Sequence, residues 1–213
     1  MRSPARLWPL SLPLSFTLTM LLMAMSAGVA GAEDDMFDGA GQRSHKGKLG
    51  VHAQMGTGYR GILPYDDEYC GERSSDGSSE VCIGRSPLHL DVGISYATSK
   101  SLEVFLELRF GMETDFGETA NADGPRVFHF APGVKVYIRD TGKAKFFSTL
   151  QLVFDDTQYG QAGGLDMAIK NTSGLQLDVH DAVGVYVWFG EVVGWSRWLR
   201  FQMEVGLGMQ ARF

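Results

Sequence analysis

From Leu199 to Phe213 every second residue is apolar: Leu199, Phe201, Met203, Val205, Leu207, Met209, Ala211 and Phe213. The residues between them, Arg200, Gln202, Glu204, Gly206, Gly208, Gln210 and Arg212, are all polar or glycine. A sustained period of two predicts a β-strand whose two faces meet different surroundings. The same alternation returns upstream. Leu102, Val104, Leu106, Leu108, Phe110 and Met112 alternate with Glu103, Phe105, Glu107, Arg109, Gly111 and Glu113. Phe128, Phe130, Pro132, Val134, Val136 and Ile138 alternate with His129, Ala131, Gly133, Lys135, Tyr137 and Arg139. Residues 88–97 and 49–59 follow it, as do 146–154 and 183–193 with breaks such as Ser148 and Glu191. In the stretch 167–179 the pattern is weakest, because Asn171 and Ser173 fall on the apolar parity. Eight strands are predicted.

The links between these strands alternate in length. Long ones are expected at residues 61–86, 116–125 and 157–166, and short ones at 99–101, 140–143 and 180–182. Only the last, around Ser196 and Arg197, breaks the series. Long and short links in turn describe an up-and-down meander with loops at one end and tight turns at the other. An eight-stranded meander closes into a barrel. The fold class expected is therefore all-β, an eight-stranded antiparallel up-and-down barrel.

A soluble barrel and a membrane barrel have opposite polarity, and three features favour lipid on the apolar side. The segments are long enough for the 9 to 11 residues or so that a tilted strand needs to cross hydrocarbon. The other face is too charged for an apolar ligand cavity, but its mixed signs and many glycines suit a narrow interior filled by paired side chains. Aromatics on the apolar parity gather at strand ends. Tyr59, Phe110, Phe128, Phe154 and Trp195 fall at the loop end, and Tyr96, Phe146 and Phe213 at the turn end, which makes two interfacial girdles.

Composition agrees with this picture and narrows the partners. Glycine supplies 27 of 213 residues, more than helices tolerate cheaply. The formal charge of -6 comes with no cluster of Lys and Arg, which argues against nucleic acid. The N-terminus carries Arg2 and Arg6, then an apolar run from Leu7 to Met25, then the small-residue tail Ser26 to Ala32. This is the pattern of a secretory signal peptide over residues 1–32, with Ala30-Gly31-Ala32 at the cleavage site. Residues 33–46 are expected to form a flexible segment ahead of the barrel, which spans 47–213. Export places Cys70 and Cys82 in an oxidising compartment, where their pairing would staple the first loop by about 3 kcal/mol in the chain-entropy model.

With these elements in hand, the chain resembles the small outer-membrane β-barrel proteins, the group of the OmpA transmembrane domain, OmpX and the opacity proteins. The resemblance covers residues 47–213. Its most specific element is the C-terminus, where Phe213 preceded by Met209, Leu207 and Val205 looks like the signal read by the outer-membrane assembly machinery. Ala211 departs from that pattern, which more often carries a larger apolar residue there. The resemblance implies a Gram-negative outer membrane with its lipid and lipopolysaccharide, both termini in the periplasm and the long loops outside. It implies no cofactor.

The inward parity supplies the chemistry. Glu103, Glu107, Arg109, Lys135, Arg139 and Glu204 form a lumen charge network, with Glu113, Lys145, Asp155, Arg200 and Arg212 on the same face. A salt-bridged plug holding the barrel shut accounts for them better than an ion path, because side chains about fill an eight-stranded interior. His52, His89 and His129 share that parity, but a polar interior holds histidines without a metal, and no metal site is expected. No GxSxG, HExxH or phosphate-cradling glycine loop occurs, and no His stands on the apolar parity beside a Ser, so no enzyme is expected. The first loop, with its acidic residues, Tyr65 and Tyr69, is the largest candidate recognition surface. The reading is a non-enzymatic outer-membrane barrel serving envelope integrity or surface interaction through its loops. Two alternatives are an anchor subunit of a trans-envelope secretion or gliding assembly, touching other envelope proteins, and a narrow pore for small solutes.

Overall fold

The computed structural model describes residues 45–63, 82–112, 127–139, 143–156, 165–180, 182–196 and 199–213. They form eight strands: β1 (Leu49–Leu63), β2 (Cys82–Ala97), β3 (Leu102–Gly111), β4 (Phe128–Arg139), β5 (Ala144–Asp155), β6 (Asp166–His180), β7 (Val183–Gly194) and β8 (Leu199–Arg212). Each pairs antiparallel with the next, and β8 returns to β1 to close the barrel. Closure removes both sheet edges, so the ladder hydrogen bonds continue all the way round.

The register can be followed once around the circumference. From Gly50 it passes through Ser95, Phe105, Gly133, Gln151, Lys170, Val192 and Gln202 and arrives at Arg60, ten residues further along β1. That stagger tilts the strands by about 40° to the barrel axis. A row of paired residues therefore climbs from β1 towards β8, and it climbs towards the end where links 64–81, 112–127, 156–165 and 195–198 lie. The opposite end has the links 98–101, 140–143 and 181–182.

The alternation of the sequence becomes two surfaces. On β8, Leu207 is 67% and Phe213 75% exposed, whereas Glu204, Arg200, Gln210 and Arg212 are buried inside. The apolar side chains that a soluble protein would bury are turned outwards on every strand, and the charged ones form the interior. No helix among the described residues is long and apolar enough to cross a membrane, which leaves crossing by strands open.

Two strand ends differ from the sequence reading. Residues 61–63 and 82–86, expected in the first loop, are strand. A bulge between Gly56 and Gly58 gives β2 one extra residue, so that Gly56 pairs with His89 and Gly58 with Ser86. Both Ser86 and His89 then face inwards although they stand an odd three positions apart. A parity count breaks at such a bulge, and the strand beyond it reads as loop. Conversely, Asn171 and Ser173, which weakened the reading of β6, lie in the middle of a regular strand with their side chains on the outer face.

Candidate functional site

The interior is a packed column of charge whose members come from every strand but β7, which supplies Tyr186 and Trp188 instead. At the end of the long links, Arg200 bonds Asp155 and lies 3.4 Å from Asp166, His129 Nε2 lies 3.0 Å from Asp155, and Ser196 donates to Asp166 at 2.9 Å. Below this, the guanidinium of Arg109 is clamped between two carboxylates. It donates to Asp91 through Nε at 2.7 Å and Nη2 at 2.9 Å, and to Glu204 through Nη1 and, at 2.9 Å, Nη2. A planar fork against two carboxylates is the geometry that suits arginine and not lysine.

Lys170 stands beside this clamp, 3.5 Å from Asp91, 3.4 Å from Glu107 and 3.5 Å from Glu204, with its ammonium 5.0 Å from the ring centroid of Trp188. Glu107 also accepts from Gln54 at 2.9 Å and Gln151 at 3.1 Å and meets His52 at 3.3 Å. Towards the short turns, Lys135 donates to Gln176 at 3.1 Å and Gln210 at 3.2 Å, and sits 4.3 Å from the ring centroid of Phe147. Arg212 bridges Glu103 at 3.3 Å and Asp178 at 3.4 Å, and donates to the hydroxyl of Tyr137 at 2.6 Å. At the bottom, Lys145 lies 3.2 Å from Asp178 and 2.6 Å from Nε2 of His45, so the chain just ahead of β1 is fastened under the barrel mouth. His45 is buried there.

Between these charges stand aromatic side chains that only glycine on the facing strand permits. Trp188, on β7, is 4% exposed and lies directly opposite Gly206. A Cβ on Gly206 would come within 2.6 Å of its indole, and one on Gly56 within 2.6 Å from the other side. Tyr186 is fitted against Gly208 in the same way. The glycine content of the chain thus has a packing cause. A space of about 30 Å³ remains inside, lined by His52, Gln151, Thr149, Thr172 and Lys135 among others, room for about one water.

Of the expected network, Glu103, Glu107, Arg109, Lys135 and Glu204 are all brought into this column, whereas the side chain of Arg139 lies outside the described residues, as does Glu113. The sequence reading missed Asp91, Lys170, Asp178 and Trp188. Their inward parity was the available signal, but on β6 it was hidden by the polar residues of the outer face. The three histidines do not converge. His52 meets Glu107, His129 meets Asp155, and His89 Nδ1 lies 3.2 Å from the carbonyl of Pro87. No group of three or more metal-ligating side chains occurs among the described residues.

The outward aromatics Tyr59, Phe110, Phe128 and Trp195 are exposed at the end of the long links, and Tyr96 and Phe146 at the end of the short turns. Phe154 is half-buried, its ring 6.1 Å from that of Phe130. Val205, Leu207 and Met209 on β8 and Phe213 just beyond its end form one exposed apolar file. Cys70 and the side chain of Cys82 lie outside the described residues.

A closed eight-stranded barrel with an apolar exterior and a charged, filled interior is the inverse of a soluble one. The fold is that of the small outer-membrane β-barrels. Solved structures in this group superpose on it. The N-terminal β-barrel domain of Pseudomonas aeruginosa OprF covers 79% of this chain and 98% of its own, with a TM-score of 0.51 and 10% identity. Neisserial surface protein A covers 79% and 100%, with a TM-score of 0.52 and 10% identity. No protein-family model matches the sequence, and no curated protein does. At such low identity, the small outer-membrane barrels share with this chain a backbone course and not a set of functional side chains.

Proposed function

We propose that the protein is a non-enzymatic barrel of a Gram-negative outer membrane, with both termini periplasmic, that serves envelope integrity or surface interaction through its long extracellular links. The observation carrying this reading is the interior: ion pairs and glycine-seated aromatics fill it from Asp155 down to His45. Such a column suits a rigid post in the bilayer better than a path for solutes. Activity then falls to what the post displays, and the link 64–81 is the longest segment joining two strands. The apolar girdle suits lipid and lipopolysaccharide, and the file ending at Phe213 suits the outer-membrane assembly machinery.

The test is replacement of residues 64–81 by a short turn. The variant should still shift in mobility between boiled and unboiled gel samples, while cells lose resistance to detergent and chelator or lose surface binding. Loss of neither would overturn the loop reading. An anchor role in a trans-envelope assembly is separated by crosslinking and co-purification, which would then return a partner held by the periplasmic segment 33–46. A narrow pore would require conductance in planar bilayers above that of empty detergent. The Cys70–Cys82 pair is proposed as a staple of this link, and alkylation after reduction, but not before, is the result that supports it.

A further inference from the structure

The outer face is not uniformly apolar. Four polar side chains point outwards from neighbouring strands: Ser148 on β5 and Asn171 and Ser173 on β6 near mid-strand, and Glu191 on β7 three residues before its end. They are contiguous, because Ser148 pairs with Ser173, Asn171 pairs with Glu191, and Ser148 donates to Asn171 Oδ1 at 3.4 Å. On β3, β4 and β8 every described outward position is apolar. Thr57 on β1 is satisfied by the carbonyl of Ser86 at the bulge. Among the described residues the side chain of Glu191 makes no hydrogen bond or ion pair. Phe189 and Val193 flank it on its own strand and Met203 lies opposite it on β8, so that apart from Asn171 and Ser173 on β6 its neighbours are apolar.

A carboxyl group in hydrocarbon without a partner is unfavourable, and such residues face protein rather than lipid. We propose that this polar stripe is the contact surface of a symmetric dimer of the chain within the membrane. Two copies inserted with the same orientation can be related only by a two-fold axis along the membrane normal, which keeps every residue at its own depth. The row of paired residues climbs by about 3 Å from one strand to the next. Glu191 thus lies one such step above Asn171, within side-chain reach of the same residue across the axis.

The stripe is self-complementary under that operation. The Asn171 amide already accepts from Ser148 through Oδ1, which leaves its Nδ2 to donate, and the carboxyl of Glu191 is the acceptor it lacks. Two copies therefore exchange two equivalent hydrogen bonds. Ser148 and Ser173 are small enough for the two barrel walls to approach closely around them.

The experiment places a photocrosslinking amino acid at Phe189, beside the stripe, or at Ile94, on the outer face of β2 across the barrel, in the intact chain in its membrane. Phe189 should give a product of twice the chain mass and Ile94 should not. With purified protein in lipid vesicles, energy transfer between labelled copies should fall on dilution in lipid. The double change Glu191→Leu with Asn171→Leu should weaken association at least tenfold, whereas Glu191→Gln, which keeps an acceptor, should retain it. Both variants should keep the heat-dependent gel shift of a closed barrel, since neither touches the interior. A chain that is monomeric at every density, equal products from Phe189 and Ile94, or a Phe189 product with a different protein and none with itself would each overturn the proposal.

Discussion

Arg109 is the residue on which most of the interior depends, because its guanidinium neutralises Asp91 and Glu204 together. Arg109→Leu would leave two carboxylates facing one another with Lys170 as the shared cation. Removing one partner of a buried pair costs about 3–5 kcal/mol, and urea unfolding in lipid vesicles should register a loss of that size. Replacing Glu204 by Leu in the same chain should recover part of it. A second residue-scale test concerns space. Gly206→Leu drives a side chain into the indole of Trp188 and should cost about 1–3 kcal/mol. Trp188→Ala in the same chain should recover only part of that loss, since the backbone carbonyl of Met55 still crowds the new side chain.

At the scale of the strand, β8 carries both faces in their purest form, and the two faces answer to different substitutions. Leu207→Arg places a charge on the exposed apolar face near mid-strand and, in a bilayer, should destabilise the folded barrel by about 2–4 kcal/mol. Phe213→Asp acts earlier, on assembly: the amount of heat-shifted protein in the outer-membrane fraction should fall while the exported chain accumulates unfolded. Unchanged levels would count against the C-terminal file as an assembly signal. β6 and β2 teach why strands are misread. The polar residues of β6 fall on its outer face and blur the contrast on which a period of two depends. The bulge in β2 switches the parity without weakening the pairing.

For the whole molecule, closure and filling together predict its behaviour. The unboiled protein should migrate differently from the boiled one, because a barrel without edges resists detergent. Its stability should change little between low and high salt, since the ion pairs are shielded from mobile ions by the barrel wall. A soluble, salt-sensitive protein without the gel shift would mean that the apolar face meets something other than lipid.

The sequence by itself determined the number of strands, their order, the alternation of faces and the identity of most interior charges. Each of these is a local property, because successive side chains in a strand point to opposite sides and short links force neighbours to pair. Even the polarity of the barrel was legible, from the charge on one parity and the aromatics at the ends of the other. Tertiary structure alone decided which charges meet. Asp91, Arg109, Lys170 and Glu204 come from four strands, and their contact depends on the stagger of ten residues around the barrel, a quantity that no single strand carries. The register of β5, β6 and β7 gathers Ser148, Asn171, Ser173 and Glu191 into one stripe, where the sequence offers only separate interruptions of a pattern.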